Sequence, residues 1–357
     1  MSELQKALLL IGISVIVTVY VYGWWQQRQY RRKFGETFKA SHADALYQDE
    51  DARQTERPHP LTAAKIADGM EDPVLAPPAL PDEPCALLDT RTDFIIELHL
   101  DEPSPAAVLD GLWQRKFDFG KPVQVCGLTF TTKNWERAIT ESQTLYTRFR
   151  IALQLVDRSG TISAAKLADF RDLVLGVAKH IKANSTVPDL NKTHHHAVDL
   201  DSFCAEVDQM VGVNLVPHGE RTLKGEKIAQ AAAAQGMTLE SDGAFHLPDA
   251  QGQSLFNLIN LDTQPFRHHT LETFSTAGIT LLLDVPRVEN PALNFDRMMH
   301  AAHELARELQ VNLVDDHRVL LSDSSLARIR AQIVEVEAKM CEHEIAPGSA
   351  QARRLFS

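Results

Sequence analysis

Three groups of side chains have types and spacings that could do chemistry. The histidines cluster as His194-His195-His196, His268-His269 and the pair His300/His303. A structural or catalytic metal site needs further acidic or Cys ligands at set spacing, and none stands beside these triplets and pairs. His300 and His303 are three apart on a predicted helix, which permits a site without implying one. Asp315-Asp316 pairs two carboxylates, but it falls at a strand-to-helix turn, where Asp side chains satisfy backbone N–H groups. Cys85, Cys126, Cys204 and Cys341 are far apart, with no CxxC pair. They read as separate thiols of a reducing compartment rather than a disulfide framework or a zinc site. The sequence has no Gly-rich phosphate loop, no GxSxG and no Cys/His arrangement with a base. The expectation is a protein that is not an enzyme, with no metal and no cofactor.

The more informative feature is an apolar residue on a face that should be wet. In Ile279–Val285 the residues Ile279, Leu281, Leu283 and Val285 share one face of a predicted strand, and Thr280, Leu282 and Asp284 the other. Pro286 ends it, because it cannot donate to a ladder. The first face is core. Leu282 lies on the second.

The elements around that strand repeat a pattern. Met210–Val216 reads as a strand, Leu223–Gln235 as a helix and Leu255–Leu261 as a strand. After Ile279–Val285 comes a helix that Asn290 can cap and Pro291 can open, with Phe295, Met298, Met299, Ala302, Leu305, Ala306 and Leu309 along one stripe. Earlier, Phe94–Leu100 reads as a strand, Pro105–Gln114 as a helix, Phe149–Val156 as a strand, and Phe170 to Ile181 as a helix. Val187-Pro-Asp-Leu-Asn and Val314-Asp-Asp-His-Arg then hold matching places before closing helices, Leu200–Met210 and Ser324–Met340. The fold class predicted is α+β: two tandem split β-α-β units, each an antiparallel or mixed sheet with helices on one face. Such a sheet leaves its other face to water or to a partner. In the second unit that face carries Met210, Gly212, Ile259, Leu261, Thr280 and Leu282, an apolar set. The first unit has Ile95, Glu97, His99, Arg150, Ala152 and Gln154 there, and reads as mostly solvated. Two readings of the apolar face stand: a peptide-binding groove, or a surface packed under the first unit.

Before the units comes an uncharged run, Ala7–Gln27, whose apolar part is about 30 Å long as a helix, enough to span a bilayer. Trp24 and Trp25 mark one end, followed by Arg28, Arg31, Arg32 and Lys33, against Lys6 alone on the other side. Positive charge on the inner side places everything after it in the cytoplasm and the N-terminus outside. A cleaved signal peptide would carry its charge before the apolar run. Ser41–Pro84 then holds seven of the 17 prolines and no apolar period. It reads as a flexible tether whose roughly 45 residues reach ~35–40 Å. The net charge of −12 argues against nucleic acid as a partner. The predicted organisation is an N-out anchor over 1–33, a linker over 34–86, the first unit over 87–208, the second over 209–345 and a tail over 346–357.

The second unit resembles the C-terminal domain of ZipA, the bacterial cell-division protein that binds the C-terminal tail of FtsZ. The likeness runs through Gly225-Glu226, Ser254-Leu-Phe-Asn-Leu-Ile-Asn, Phe274-Ser-Thr-Ala-Gly-Ile-Thr, Val285-Pro286, Asn294-Phe295 and Val314-Asp-Asp-His-Arg, with spacing kept almost throughout. An N-out anchor, a Pro-containing linker and a distal globular domain also resemble the ZipA plan. The resemblance implies an inner-membrane, single-pass protein at the division site. It also implies a hydrophobic groove for the FtsZ tail, with groove positions at Met210, Gly212, Ile259, Leu261 and Leu282. Gly212 stands where the family has an aliphatic residue, which implies a shallower groove. The first unit has no counterpart in the familiar members, and other division proteins are the partners expected for it.

Overall fold

A computed structural model describes residues 88–357 apart from Thr263. The anchor and linker read from the sequence lie outside the described residues. Among the described residues, no helix is long and apolar enough to cross a membrane.

The first half is built on β1 (Asp93–Pro105), β2 (Val123–Thr129), β3 (Trp135–Arg137), β4 (Leu145–Gln154) and β7 (Asn184–Thr186), with a small hairpin of β5 (Val156–Asp157) and β6 (Gly160–Thr161). The five larger strands form an antiparallel sheet in the order β3-β2-β4-β1-β7. Helices α1 (Asp110–Arg115), α2 (Ala164–His180) and α3 (Leu190–Val207) accompany it. Alternation does the sorting: Phe94, Ile96 and Leu98 of β1 meet Phe149, Ile151 and Leu153 of β4 in one core. Phe170, Val174 and Val177 of α2 and Ala197, Leu200 and Phe203 of α3 close it from the helix side. Both helices start on an Asp or Ser cap: Ser163 accepts from Lys166 N, and Asp189 from Lys192 N.

The second half carries β8 (Met210–Pro217), β9 (Leu223–Lys224), β10 (Thr238–Leu239), β11 (Phe245–Pro248), β12 (Ser254–Asn260), β13 (Ser275–Thr276), β14 (Ile279–Asp284) and β15 (Val311–Val314). Six of them form a second antiparallel sheet, β10-β11-β12-β14-β8-β15. Helices α4 (Gly225–Ala234), α5 (Pro291–Leu309) and α6 (Asp323–Glu342) belong to this half. Val211, Val213 and Leu215 of β8, Ile279, Leu281 and Leu283 of β14 and Phe256 and Leu258 of β12 face Phe295, Met298, Ala302 and Leu305 of α5. Four strands in each half follow one order, β2-β4-β1-β7 and β12-β14-β8-β15. The outer strands differ: β3 follows β2 in the chain, whereas β10 and β11 precede β12.

Several expectations need correction. The strand expected over Phe94–Leu100 runs on to Pro105, and the following helix is a 3₁₀ turn, Ala106–Leu109, continued by α1. The closing helix of the first half ends at Val207, so Met210 opens β8 instead. Asn290 makes no side-chain cap; it adopts the left-handed conformation at φ 49°, which Asn tolerates better than most residues. Cys126 is disulfide-bonded, against the expectation of four separate thiols, while Cys204 and Cys341 are free.

The residues after α6 do not trail away. Gly348, at φ +72°, turns the chain so that its N–H donates to Pro286 O at 3.0 Å, and any Cβ there would strike the Glu289 backbone nitrogen at 2.3 Å. Helix α7 (Ala350–Leu355) follows. Ile345, Ala352, Leu355 and Phe356 are buried in the core of the first sheet, and Arg354 forks onto Asp93 of β1.

Candidate functional site

The second sheet turns one face to α4 and α5 and the other away from them. Register places the six sequence-derived residues together on the outer face. Leu282 of β14 stands opposite Asn257 of β12 on one side and Gly212 of β8 on the other. In the next row Ile259 pairs with Thr280, Thr280 with Asn214, and Asn214 with Val314 of β15. Met210 pairs with Asp284 at one end of the face. Leu261, just past β12, donates its N–H to Gly278 O at 3.1 Å at the other. Met210, Gly212, Ile259, Leu261 and Leu282 are half-buried and Thr280 is buried. Sequence alternation alone brings these residues to one side.

Gly212 explains how Leu282 lies. A Cβ at Gly212 would sit 3.2 Å from Leu282 Cδ2 and 3.6 Å from Thr280 Cγ2. Leu282 thus lies close over the space that an aliphatic neighbour would fill, with Thr280 in ordinary contact beside it. The result is a low apolar surface across β8 and β14, not an open slot.

A polar row crosses beside it. Thr280 Oγ1 donates to Asn214 Oδ1 at 2.7 Å, and Asn214 Nδ2 donates to Asp316 Oδ1 at 3.0 Å. The buried Thr280 and Asn214 are thereby partnered, while Asp316 at the end of the row is exposed. Asp315 instead accepts from His317 N and Val319 N, both at 2.8 Å, and so holds the turn after β15. That turn carries Val319 and Leu320, both well exposed. At the Met210 end, Arg158 from the β5–β6 hairpin donates to Asp284 at 2.8 and 2.9 Å and to Asp208 at 2.7 Å. Burial holds the Asp284 carboxyl above the usual carboxylate range, with Arg158 and Arg287 pulling the other way.

Sequence reasoning missed Asn214, Asp316 and Arg158 as parts of this face, although it set Asp284 there beside Leu282. The first was legible, since Met210, Gly212 and Asn214 share one alternation. The others depend on a turn and on the first half of the chain. The histidines do other work: His303 Nδ1 bonds Met299 O at 2.7 Å, His195 Nδ1 bonds Asn191 O at 2.7 Å and His196 Nε2 bonds Arg91 O at 2.8 Å. Among the described residues no three His, Cys, Asp or Glu side chains stand close enough to hold a metal. The anchor positions Trp24, Trp25, Arg28, Arg31, Arg32 and Lys33 lie outside the described residues.

Comparison with known proteins falls on this same half. Residues 209–332 match the family model described as ZipA, C-terminal FtsZ-binding domain. The chain is similar to the cell division protein ZipA of Ectopseudomonas mendocina, 29% identical over 144 residues, which cover 39% of this chain and 53% of that protein. It is 27% identical over 139 residues to ZipA of Pseudomonas aeruginosa, covering 38% of this chain and 48% of the relative. These alignments span about half the length of those curated relatives. A longer match, 22% identical over 336 residues, joins 91% of this chain to 98% of ZipA from Haemophilus influenzae. The stretch that builds the apolar face is thus the same stretch, residues 209–332, that is similar to the ZipA C-terminal FtsZ-binding domain.

Proposed function

We propose that this is an inner-membrane cell-division protein that captures the C-terminal tail of FtsZ on its second sheet and so tethers FtsZ filaments to the bilayer. The observation that carries the proposal is the apolar face itself. Leu282 leans over Gly212 between Met210, Ile259 and Leu261, all half-buried, inside the stretch that matches an FtsZ-binding domain. A low apolar strip with a polar row beside it suits the apolar side of an amphipathic peptide. The work is binding alone. One short peptide on so shallow a face binds modestly, and many anchored copies along one filament supply avidity.

In this reading residues 1–33 anchor the chain with the N-terminus outside. Trp24 and Trp25 sit at headgroup level, and Arg28, Arg31, Arg32 and Lys33 on the cytoplasmic side. Residues 34–86 are the linker. The first unit, 87–208, is a divergent copy of the second, 209–345, supported by their shared strand order. It spaces the face from the membrane or meets another division protein.

A second reading, a membrane-anchored adaptor whose apolar face is packed within the molecule, draws on one contact. Arg158 of the first half reaches Asp284 at the Met210 end of that face. Gly212, Ile259, Leu261 and Leu282 keep partial exposure, which favours the first reading.

The test is a titration of residues 88–357 with a fluorescent peptide of the host's FtsZ C-terminus, repeated with Leu282→Glu and Leu261→Glu. Removing a buried leucine contact is expected to weaken binding roughly tenfold or more in each variant. Folded variants that bind as tightly as the parent would refute the groove.

A further inference from the structure

Asn257 stands in the middle of the outer face of the second sheet with neighbours that cannot serve it. Register sets His246 of β11 on one side of it and Leu282 of β14 on the other. Its Oδ1 is shut away from water and accepts no hydrogen bond, whereas most polar atoms so buried are paired. The polar groups around it are already committed. His246 has Nδ1 on Ser254 Oγ and Nε2 on Asp242 Oδ2, both at 2.9 Å. Diagonally across on β14, Thr280 gives its hydroxyl proton to Asn214 at 2.7 Å, and Asp284 is held by Arg158 at 2.8 and 2.9 Å. Leu255 and Ile259, two places away along β12 on the same face, are apolar. The fold thus leaves one amide oxygen unserved at the centre of an apolar strip.

We propose that Asn257 is the polar anchor of the peptide site, its Oδ1 accepting a main-chain N–H of the bound FtsZ tail. The inference rests on the peptide-binding reading of this face given above. A peptide laid on an apolar strip gains by burying its apolar side chains. Any main-chain N–H pressed there loses its water, at a cost, unless an acceptor meets it. Asn257 supplies that acceptor. The residue as a whole is half-buried, so its amide reaches the surface of the strip although the oxygen is covered. Turning the amide about Cβ–Cγ, a soft torsion for Asn, brings Oδ1 outward and breaks no bond that it accepts.

The anchor sets a condition on the shape of the ligand. Beyond the first turn of a helix every N–H is already given to a carbonyl four residues back. The tail residue that crosses Asn257 is therefore extended or lies in the first turn of a helix. The anchor also sets that residue beside Leu282, so apolar side chains flanking it fall on Leu282 and Ile259. In the free protein an acceptor without a donor is a cost, one that a leucine at this place does not carry. Replacing Asn257 should thus spare the fold and impair binding, the reverse of what a residue with a structural role does.

The test uses the full chain in detergent micelles and a fluorescent peptide of the host's FtsZ C-terminus. Asn257→Leu is expected to bind the peptide about tenfold more weakly than the parent, although it adds apolar area to the strip. Its melting temperature is expected to equal or exceed the parent's. Peptides in which one backbone N–H at a time is replaced by an ester oxygen identify the donor. One of them should bind the parent about tenfold more weakly and lose little further against Asn257→Leu. A folded leucine variant that binds as tightly as the parent overturns the anchor, as do ester losses that are the same in both proteins. The ester series on the parent stands whether or not the variant folds, and loss at no single position overturns the anchor too. A parent that binds no peptide refutes the groove itself, an outcome distinct from a parent that binds and a variant that binds equally.

Discussion

At the scale of single residues, the outer face of the second sheet is shaped by what each side chain lacks. Gly212 lacks a side chain, and Leu282 covers it. Thr280 and Asn214 lack water and satisfy each other. Replacing Thr280 with the isosteric valine leaves the Asn214 oxygen without its hydroxyl donor. Thr280→Val is expected to cost ~1–3 kcal/mol in urea unfolding, because a buried acceptor without a donor loses its desolvation energy in full. Thr280→Val with Asn214→Leu should recover most of that loss, and a double variant as unstable as the sum of the singles would sink the argument. Arg158 makes a pH-dependent case. Asp284 has its folded pKa raised by burial, so the folded chain holds its proton to higher pH than the unfolded one. That contribution to stability is lost as pH rises through the window above the ordinary carboxylate value. Arg158 opposes the shift, and without it the window extends further upward. Arg158→Ala should therefore destabilise little near pH 4 and by ~1–3 kcal/mol at neutral pH, discounted for partial solvent exposure. Thermal melts across pH check this; a loss that is independent of pH would contradict it.

At the scale of elements, the end of the chain carries more of the fold than its sequence suggests. Helix α7 has only six residues, too few to show a 3.6-residue period. Its sequence, with two arginines and no long apolar run, gives no sign that Leu355 and Phe356 fill the core of a sheet whose central strands lie far earlier in the chain. Phe356→Ala is expected to cost ~3–5 kcal/mol, as large-to-small changes at fully buried aromatics do. Deletion after Glu344 should lower the melting temperature further. A truncated chain that melts with the parent would show the helix to be an ornament. The same contrast explains what was legible in advance. β8, β12 and β14 could be read because Val211, Val213 and Leu215, or Ile279, Leu281 and Leu283, alternate against a wetter face. β2 could not, since Val123-Gln-Val-Cys-Gly-Leu-Thr places Cys126 and Gly127 side by side, both buried. Its outer face is covered and its inner face leaves room for Tyr146, whose ring sits where a Gly127 Cβ would be, at 2.2 Å. That Met210, Gly212, Ile259, Thr280 and Leu282 share one outer face was legible from alternation, whereas Asp316 and Arg158 reach that face from elements distant in sequence.

At the scale of the molecule, the described chain is one body made of two sheets. Domains joined by small polar interfaces move independently by default, but here the join is apolar and threaded. Val336 of α6 packs against both cores, and Met340 and Ile345 enter the first. Phe203 stacks on His343 with ring centroids 4.1 Å apart, and Arg91 Nη1 donates to Glu344 O at 2.8 Å. Arg158 ties Asp208 to Asp284 across the same join. The first core is thus completed by residues that follow the second in sequence, which couples the two halves. Residues 88–357 are expected to unfold in a single transition, with calorimetric and van't Hoff enthalpies equal. The stretch 209–332 alone ends one residue before Ile333, which is buried in its own core. Cut there, it should melt at lower temperature than the longer chain. Two resolved transitions in 88–357 would instead mean that the sheets are independent modules on a string. The distinction matters for the tether proposed above, because a load applied at the outer face of the second sheet would reach β1 only through this join. A single transition means that the load is borne by the whole molecule at once.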